Sequence, residues 1–255
     1  MSVASWRTFA ADARSVQDGD PGNGQGSFHP ISAGRVTATD NPDYGITTQL
    51  SWRCPPALNG ENCTVVLTDV VAFGARTRTD SDRRIIREAL FGMTYAAMTH
   101  MPDVRCEDRG DGLLVVVPPG VPTARVLDQM LKELPTALER HNDTHAESAR
   151  FQLRFAVNVG PVVSDAVGMS GEAIIVAARL VEAQKFKDAI AESTAHLGVI
   201  ASAFVYETVI RHGPDPREAA SYSQVPVEVK ESDTTAWMRL VDAPVPSWPE
   251  RILGS

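Results

Sequence analysis

The sequence predicts an α+β fold: a ferredoxin-like split βαβ core, C-terminal α/β additions and an irregular N-terminal extension. Two observations lead to this class. Short β-branched runs alternate with stretches of helical periodicity in the order β-α-β-β-α-β. The chain before them differs, because residues 18–27 are rich in Gly, Asp and Pro and offer nothing to bury. We therefore expect an extension at 1–60, one catalytic domain at 61–243 and a tail at 244–255.

The predicted elements of the domain follow in chain order. Thr64–Val71 is apolar on both faces and predicts a buried strand, and a helix capped by Asp80 or Ser81 continues to about His100. Next come two short strands joined by a tight turn, a helix that Pro135 should kink or divide, and a half-buried strand. These cover Val104–Asp108, Leu113–Val117, Thr123–His141 and Phe151–Val159. The C-terminal additions are predicted at Glu172–Gln184 (helix), Val199–Ser202 (strand), Phe204–Arg211 (helix), and Tyr222–Val229 with Ala236–Val241 (hairpin).

Composition limits the function before any motif is considered. Hydrophobic residues make up 43% and charged residues 22% of the 255 residues, which excludes disorder as the global state. A net charge of −8 argues against duplex nucleic acid or an anionic membrane as partner. No apolar run approaches the ~18 residues of a membrane span, and no apolar secretory segment is found near the N-terminus. Three cysteines without a CxxC pair favour a reducing, cytoplasmic location.

Two aspartates stand where carboxylates are unusual. Asp69 lies inside the most apolar strand, where an unpartnered carboxylate is costly. Asp111 lies at the hairpin tip between Gly110 and Gly112, and neighbouring strands would bring both aspartates to one end of the sheet. Their repulsion favours a cation between them, and Mg²⁺ or Mn²⁺ suits such oxygen ligands. The simpler alternative is a turn aspartate and a strand-end aspartate satisfied by backbone amides.

Groups suited to phosphate lie near these carboxylates. The strand of Asp69 ends in a Gly-containing loop, 70–75, that opens a helix and presents amide N–H groups. A Gly-rich turn at 168–171 begins a small-residue helix that carries Arg179, which is either a solvated arginine or a partner for phosphoryl charge. Four arginines after the first loop indicate a solvated face or, alternatively, electrostatic steering of a triphosphate. They are Arg76, Arg78, Arg83 and Arg84.

These segments together resemble the class III nucleotide cyclases, the adenylyl and guanylyl cyclase homology family. Asp69 in LTDVVAFG matches the family's first metal aspartate, with Phe73 at its aromatic position. Asp111 in EDRGDGLLV matches the second metal aspartate. GEAIIVAARL matches the segment that carries the transition-state arginine, here Arg179, and Lys230 stands where the family often has a triphosphate-binding lysine.

The resemblance spans about residues 62–243 and implies a two-metal mechanism. Asp69, the Val70 carbonyl and Asp111 would hold two Mg²⁺ or Mn²⁺ ions per site. A nucleoside triphosphate would be converted to a 3′,5′-cyclic nucleotide and pyrophosphate. In this family the aspartates come from one subunit and the arginine from the other, so a head-to-tail homodimer is implied.

The remaining assignments carried by the resemblance concern the nucleotide. Arg179 and Lys230 would be catalytic, and Phe73 and Gly74 would lie beside the bound nucleotide. Ile175 replaces the usual ribose-orienting Asn with a side chain that cannot donate a hydrogen bond.

The base-reading positions also depart from the usual purine types. Glu107 stands where adenine-selective cyclases carry Lys and guanylyl cyclases carry Glu, and Gly168 replaces a second base contact. One hypothesis is therefore a pyrimidine cyclase of the kind that makes cyclic UMP or CMP in bacterial anti-phage (Pycsar) systems; another is a purine cyclase. The alternative from another class is an inactive, cyclase-like nucleotide-binding or scaffold module. A palm-type diguanylate cyclase or polymerase is disfavoured, since no GGDEF-like signature is present.

Overall fold

The computed structural model describes residues 35–37, 49–51, 57–229 and 232–241. Most of the predicted extension at 1–60, the predicted tail at 244–255 and Lys230 lie outside these residues. Within them, β1 (Arg35–Thr37) and β2 (Gln49–Ser51) pair antiparallel as a two-stranded sheet.

The central domain confirms the predicted β-α-β-β-α-β order. Its elements are β3 (Asn59–Val70), α1 (Asp80–Met98), β4 (Arg105–Asp108), β5 (Leu113–Val117), α2 (Thr123–Thr144) and β6 (Leu153–Ser164). The four strands lie in the order β4-β5-β3-β6, with every neighbouring pair antiparallel. This is the strand order of a ferredoxin-like split βαβ fold.

The C-terminal additions extend the same sheet beyond β6. They are β7 (Met169–Ser170), α3 (Glu172–Val181), α4 (Gln184–Ala191), β8 (Leu197–Ser202), α5 (Ala203–Thr208), α6 (Pro216–Ala220), β9 (Ser223–Val229) and β10 (Ser232–Val241). Short 3₁₀ turns occupy Glu147–Ala149 and Ile210–His212. β8 runs parallel to β6, β10 and β9 follow it, and β7 pairs with the end of β6.

Helices cover both faces of the sheet. On one face, α1 and α2 pack Ile86, Leu90 and Leu134 against strand residues such as Val66 and Phe155. On the other face, the small residues of α3 and the aromatic ring of α4 cover the sheet; they include Ala173, Ala177 and Phe186. The prediction of a half-buried strand at 151–159 is therefore wrong in one respect, since α3 covers the second face and residues 153–158 are buried throughout.

Three local predictions also need correction. Pro135 does not divide its helix, because α2 continues from Thr123 to Thr144 with Pro135 buried inside it. The helix predicted at 172–184 ends at Val181, and a second helix begins at Gln184. Thr79, rather than Asp80 or Ser81, caps α1, since its hydroxyl accepts the Asp82 N–H.

Among the described residues, no helix combines the length and apolarity needed to cross a bilayer. Cys63 and Cys106 are free thiols.

Candidate active site

The structure brings Asp69 and Asp111 together at one end of the sheet. The Val70 N–H donates to the Asp111 carbonyl at 2.8 Å, so the end of β3 and the β4–β5 turn are directly bonded. The turn closes as predicted, with the Arg109 N–H donating to the Gly112 carbonyl at 2.9 Å. The two carboxylates are near enough for the charge of Asp111 to raise the pKa of Asp69.

Gly112 allows this approach between the hairpin and β3. A Cβ at this position would collide with the Thr68 carbonyl oxygen and lie 2.8 Å from the Thr68 carbonyl carbon and 3.1 Å from the Asp69 Cα. Beside it, the Leu113 N–H donates to the buried Thr68 hydroxyl at 3.0 Å. The absence of a side chain at 112 thus places the aspartate of the turn next to the aspartate of the strand.

Arg154 is the direct partner of Asp69. It lies opposite Asp69 in the β3–β6 register, and its Nε donates to Asp69 Oδ2 at 2.7 Å while Nη2 contacts the same oxygen. Both side chains are largely buried, at 10% and 14% exposed. Burial raises the pKa of Asp69 to about 6, Arg154 opposes this, and the charges of Asp111 and Glu182 add to the rise. The carboxylate is therefore ionised at neutral pH and held in one orientation.

The donors at this pair fit a hard divalent cation. Arg154 occupies Oδ2, and Oδ1 of Asp69 accepts no hydrogen bond from the described residues. The Val70 carbonyl accepts the Phe73 N–H at 3.3 Å and retains a second lone pair. The described part of the chain has no cluster of three or more His, Cys, Asp or Glu side chains suited to a metal. Carboxylate and carbonyl oxygens nevertheless are the ligand types that Mg²⁺ and Mn²⁺ prefer.

The raised pKa of Asp69 predicts a pH-dependent stability. A carboxyl whose pKa is higher in the folded chain adds stability below its unfolded pKa and loses it as the pH rises through the folded value. For Asp69 the window runs from 3.8 to about 6. Between pH 4 and pH 7 the free energy of unfolding of the wild type should therefore fall relative to that of Asp69→Asn, on the order of 2 kcal/mol by urea unfolding, on top of a constant cost to the variant from the lost partner of Arg154. If the difference in free energy of unfolding between wild type and variant did not change with pH, this prediction would be contradicted.

The loop between β3 and α1, residues 71–79, contains the predicted phosphate-facing groups. We call it the β3–α1 loop. Ala72 adopts a left-handed conformation with φ 52°, and the Ala75 N–H donates to its carbonyl at 3.0 Å. The amides of Ala72 and Gly74 donate to no acceptor among the described residues. Phe73 is partly buried against the core, whereas Gly74 is exposed with open space around it. Free amides in a tight turn are suited to an anion.

The structure brings the two predicted base-reading positions into contact. Glu107 Oε1 accepts the Met169 N–H at 2.9 Å, and Oε2 accepts Arg109 Nη2 at 2.8 Å. Gly168 has φ +148°, and a Cβ there would lie 3.0 Å from Glu107 Oε1. Glu107 therefore ties the turn before α3 to the hairpin that carries Asp111.

Arg179 and Ile175 lie one turn apart on α3. Ile175 is 45% exposed, and the Arg179 side chain is 31% exposed with Glu172 as a distant partner at 3.6 Å. Among the described residues, no ion pair joins Arg179 to Asp69 or Asp111. Both side chains are therefore partly exposed on α3, and Glu182, which follows this helix, is near enough for its charge to raise the pKa of Asp69.

Sequence patterns did not single out every residue of this region. Arg154 was missed, although an arginine in the apolar strand 151–159 was a usable signal, since its side chain faces opposite to Phe155 and Val157. Gly112 was noted only as a turn residue, and its close approach to Thr68 had no sequence signal. Lys230, predicted to bind triphosphate, lies outside the described residues.

Comparisons with known proteins place the fold. No protein-family model matches the sequence, and no curated protein is significantly similar to it. The adenylate/guanylate cyclase/hydrolase from Silicibacter pomeroyi superposes with a TM-score of 0.53 and 19% identity, over 72% of this chain and 99% of that one. The guanylyl cyclase Cya2 superposes with a TM-score of 0.52 and 14% identity, over 75% of this chain and 97% of that one.

The chain therefore has the fold of the class III adenylyl and guanylyl cyclase domain. This confirms the predicted fold class, and the fold is that of the family that the motifs resemble.

Proposed function

We propose that this protein is a nucleotide cyclase that converts a nucleoside triphosphate to a 3′,5′-cyclic nucleotide and pyrophosphate. One observation carries the proposal: in a cyclase-type fold, Asp69 and Asp111 adjoin a turn with free backbone amides at the end of β3. Metal-assisted phosphoryl transfer requires carboxylate oxygens that are free to bind the metal and backbone amides that are free to bind phosphate.

The proposed mechanism assigns a task to each group. Asp69, Asp111 and the Val70 carbonyl would hold two Mg²⁺ or Mn²⁺ ions, which would supply Lewis-acid stabilisation of phosphate and ribose oxygens. Arg154 keeps the Asp69 carboxylate oriented through Oδ2. Amides of the β3–α1 loop bind phosphate oxygens as the ribose 3′-oxygen bonds to the α-phosphorus, its hydroxyl proton passes to solvent water, and the bond to pyrophosphate breaks. Arg179 neutralises charge that develops on the α-phosphoryl group.

The active unit in this proposal is a head-to-tail homodimer. Ile175 and Arg179 lie one turn apart and partly exposed on α3, and among the described residues Arg179 forms no ion pair with Asp69 or Asp111. Val163 (46% exposed) and Val167 (89% exposed) precede α3 in the chain, and with Ile175 they make three exposed large hydrophobic side chains between residues 163 and 175. Exposed apolar side chains of this size favour a protein interface. A second copy would cover them and accept Arg179 into its site.

The base is proposed to be read differently from the usual purine pattern. Both oxygens of Glu107 already accept hydrogen bonds, and Gly168 contributes no side chain. A pyrimidine substrate, as in cytoplasmic anti-phage signalling, and a purine substrate remain the two branches of the proposal. A competition among the four nucleotides separates them.

The decisive experiment is turnover with ATP, GTP, CTP and UTP in Mn²⁺, with products identified by mass spectrometry. One cyclic nucleotide, absent with Asp111→Ala, would establish the cyclase and identify its base. Binding of nucleotide without any product would instead support the second candidate, a cyclase-like binding module. The observation that favours this candidate is Ile175, which presents a methyl surface where the family has a ribose-orienting amide.

A side-chain amide at position 175 would test whether Ile175 limits turnover. Ile175→Asn should raise kcat about 10-fold, since a hydrogen bond that orients the ribose brings its hydroxyl closer to attack geometry. Its exposure of 45% makes the change tolerable for stability. Measured kcat and KM with the best nucleotide are the readout, and the nearby Ile174→Val, on the same helix, serves as control. A lower kcat for Ile175→Asn would mean that this protein orients its substrate by apolar packing.

A further inference from the structure

The carbonyl oxygens of the β3–α1 loop are held by two arginines. Arg83 donates from Nε to the Phe73 carbonyl at 3.3 Å and from Nη2 to the Ala75 carbonyl at 3.1 Å. Arg78 donates from Nη1 to the Val71 carbonyl at 3.3 Å. Three carbonyls at alternate positions of the loop are therefore bonded to two guanidinium groups, that of Arg78 near the end of the loop and that of Arg83 in the first turns of α1.

Further contacts fix the arginines themselves. Arg78 Nη2 donates to the Arg150 carbonyl at 3.0 Å, which ties the loop to the segment before β6. Arg83 Nη1 donates to Asp80 at 2.8 Å in the first turn of α1. The Arg83 side chain is 28% exposed, whereas that of the adjacent Arg84 is 73% exposed with a marginal ion pair to Glu88 at 4.0 Å. Of the four arginines at positions 76, 78, 83 and 84, Arg78 and Arg83 thus stabilise the conformation of the loop.

This arrangement affects which groups of the loop a phosphate meets. Carbonyl oxygens carry partial negative charge and repel phosphate, whereas amides attract it. Within one planar peptide group, the carbonyl of a residue and the N–H of the next residue point in opposite directions. Binding the carbonyls of Val71 and Phe73 to arginines therefore constrains the amides of Ala72 and Gly74, which have no other partner among the described residues.

We propose that Arg78 and Arg83 are positioning residues that hold the β3–α1 loop with its amides available to a triphosphate, rather than charges that steer the nucleotide toward the site. The inference rests on the proposed function for the identity of the anion. The anchoring itself rests on the hydrogen bonds of the unliganded chain.

Charge-matched and position-matched variants test the proposal. Arg83→Lys retains the charge but loses the planar fork that reaches two carbonyls, and Arg84→Gln removes an adjacent exposed charge. Positioning predicts that Arg83→Lys and Arg83→Gln both raise KM about 10-fold, with a smaller effect on kcat, and that Arg84→Gln remains within twofold of wild type. Steering predicts the reverse. Arg83→Lys would then behave as wild type, whereas Arg84→Gln and Arg83→Gln would raise KM by similar factors, and these factors would be larger at low salt.

Two measurements keep this test independent of turnover. Amide hydrogen exchange over residues 71–79 in the unliganded protein should accelerate at least 10-fold in Arg83→Gln and Arg78→Gln, with protection of the core strands unchanged. Calorimetric titration with inorganic triphosphate and Mn²⁺ should show about 10-fold weaker binding for the same variants. If wild type binds triphosphate but forms no cyclic product, the proposed function fails and the positioning role stands. If Arg83→Lys and Arg83→Gln showed the same exchange rates over residues 71–79 and the same affinity for triphosphate as wild type, the inference would be overturned.

Discussion

Asp111→Asn is expected to lower cyclic-nucleotide formation about 10³-fold while leaving the fold intact. Asparagine has nearly the same shape as aspartate but lacks its charge, and it binds divalent cations far more weakly. The backbone bond between the Val70 N–H and the residue 111 carbonyl does not depend on the side chain. Activity with Mn²⁺ and the free energy of urea unfolding, measured together, check this expectation.

Asp69→Asn is expected to cause a similar loss of activity for an additional reason. The substitution removes the counter-charge of Arg154, whose side chain is only 10% exposed. A buried guanidinium without an ionised partner is costly, so part of the loss would come from a displaced Arg154. Asp111→Asn is therefore the cleaner variant for the metal assignment.

Asp128→Asn is the matched control for both variants. Asp128 is exposed on α2, and the same change there should leave activity within twofold and stability within about 0.5 kcal/mol. Mn²⁺ affinity, followed by electron paramagnetic resonance, should fall with Asp69→Asn and Asp111→Asn and remain unchanged with Asp128→Asn. Wild-type turnover in Asp111→Asn would exclude a catalytic carboxylate pair.

The fold could be predicted well because its signals are local. The apolar run at 64–71, the helical periodicity after residue 80 and the turn at 109–112 each specify an element without reference to distant residues. The burial of β6 on both faces could not be predicted in this way. It depends on α3 and α4, which follow β6 in the chain and cover the face that alternation alone leaves open.

In the candidate site too, some residues carried a local sequence signal and others did not. Asp69 and Asp111 stood out because a carboxylate in an apolar strand and one in a tight turn conflict with their local surroundings. Arg154 did not, because its pairing with Asp69 spans 85 residues and depends on strand register. Glu107 was noticed as a base contact, but its bond to the Met169 N–H depends on a turn 62 residues later. Local conflict reveals candidate functional residues, whereas their partners require the fold.

Gly112→Ala is expected to disable the site although it changes no chemical group in it. The added Cβ would collide with the Thr68 carbonyl oxygen, which belongs to a central strand and has little freedom to move. The hairpin must then shift away from β3, which breaks the 2.8 Å bond between the Val70 N–H and the Asp111 carbonyl. We expect a loss of about 2 kcal/mol or more in the free energy of unfolding and about 10²-fold in kcat.

Gly120→Ala separates this steric effect from a general cost of replacing glycine. Gly120 is exposed, has no neighbour within 4 Å of an added Cβ, and has no left-handed backbone conformation. The control should therefore stay within about 0.5 kcal/mol of wild type in stability and retain its activity. Because displacement of the hairpin separates the two aspartates, Mn²⁺ affinity should fall in Gly112→Ala even at temperatures where the protein remains folded. Unchanged affinity and turnover in that variant would show that the carboxylate pair tolerates a shifted hairpin.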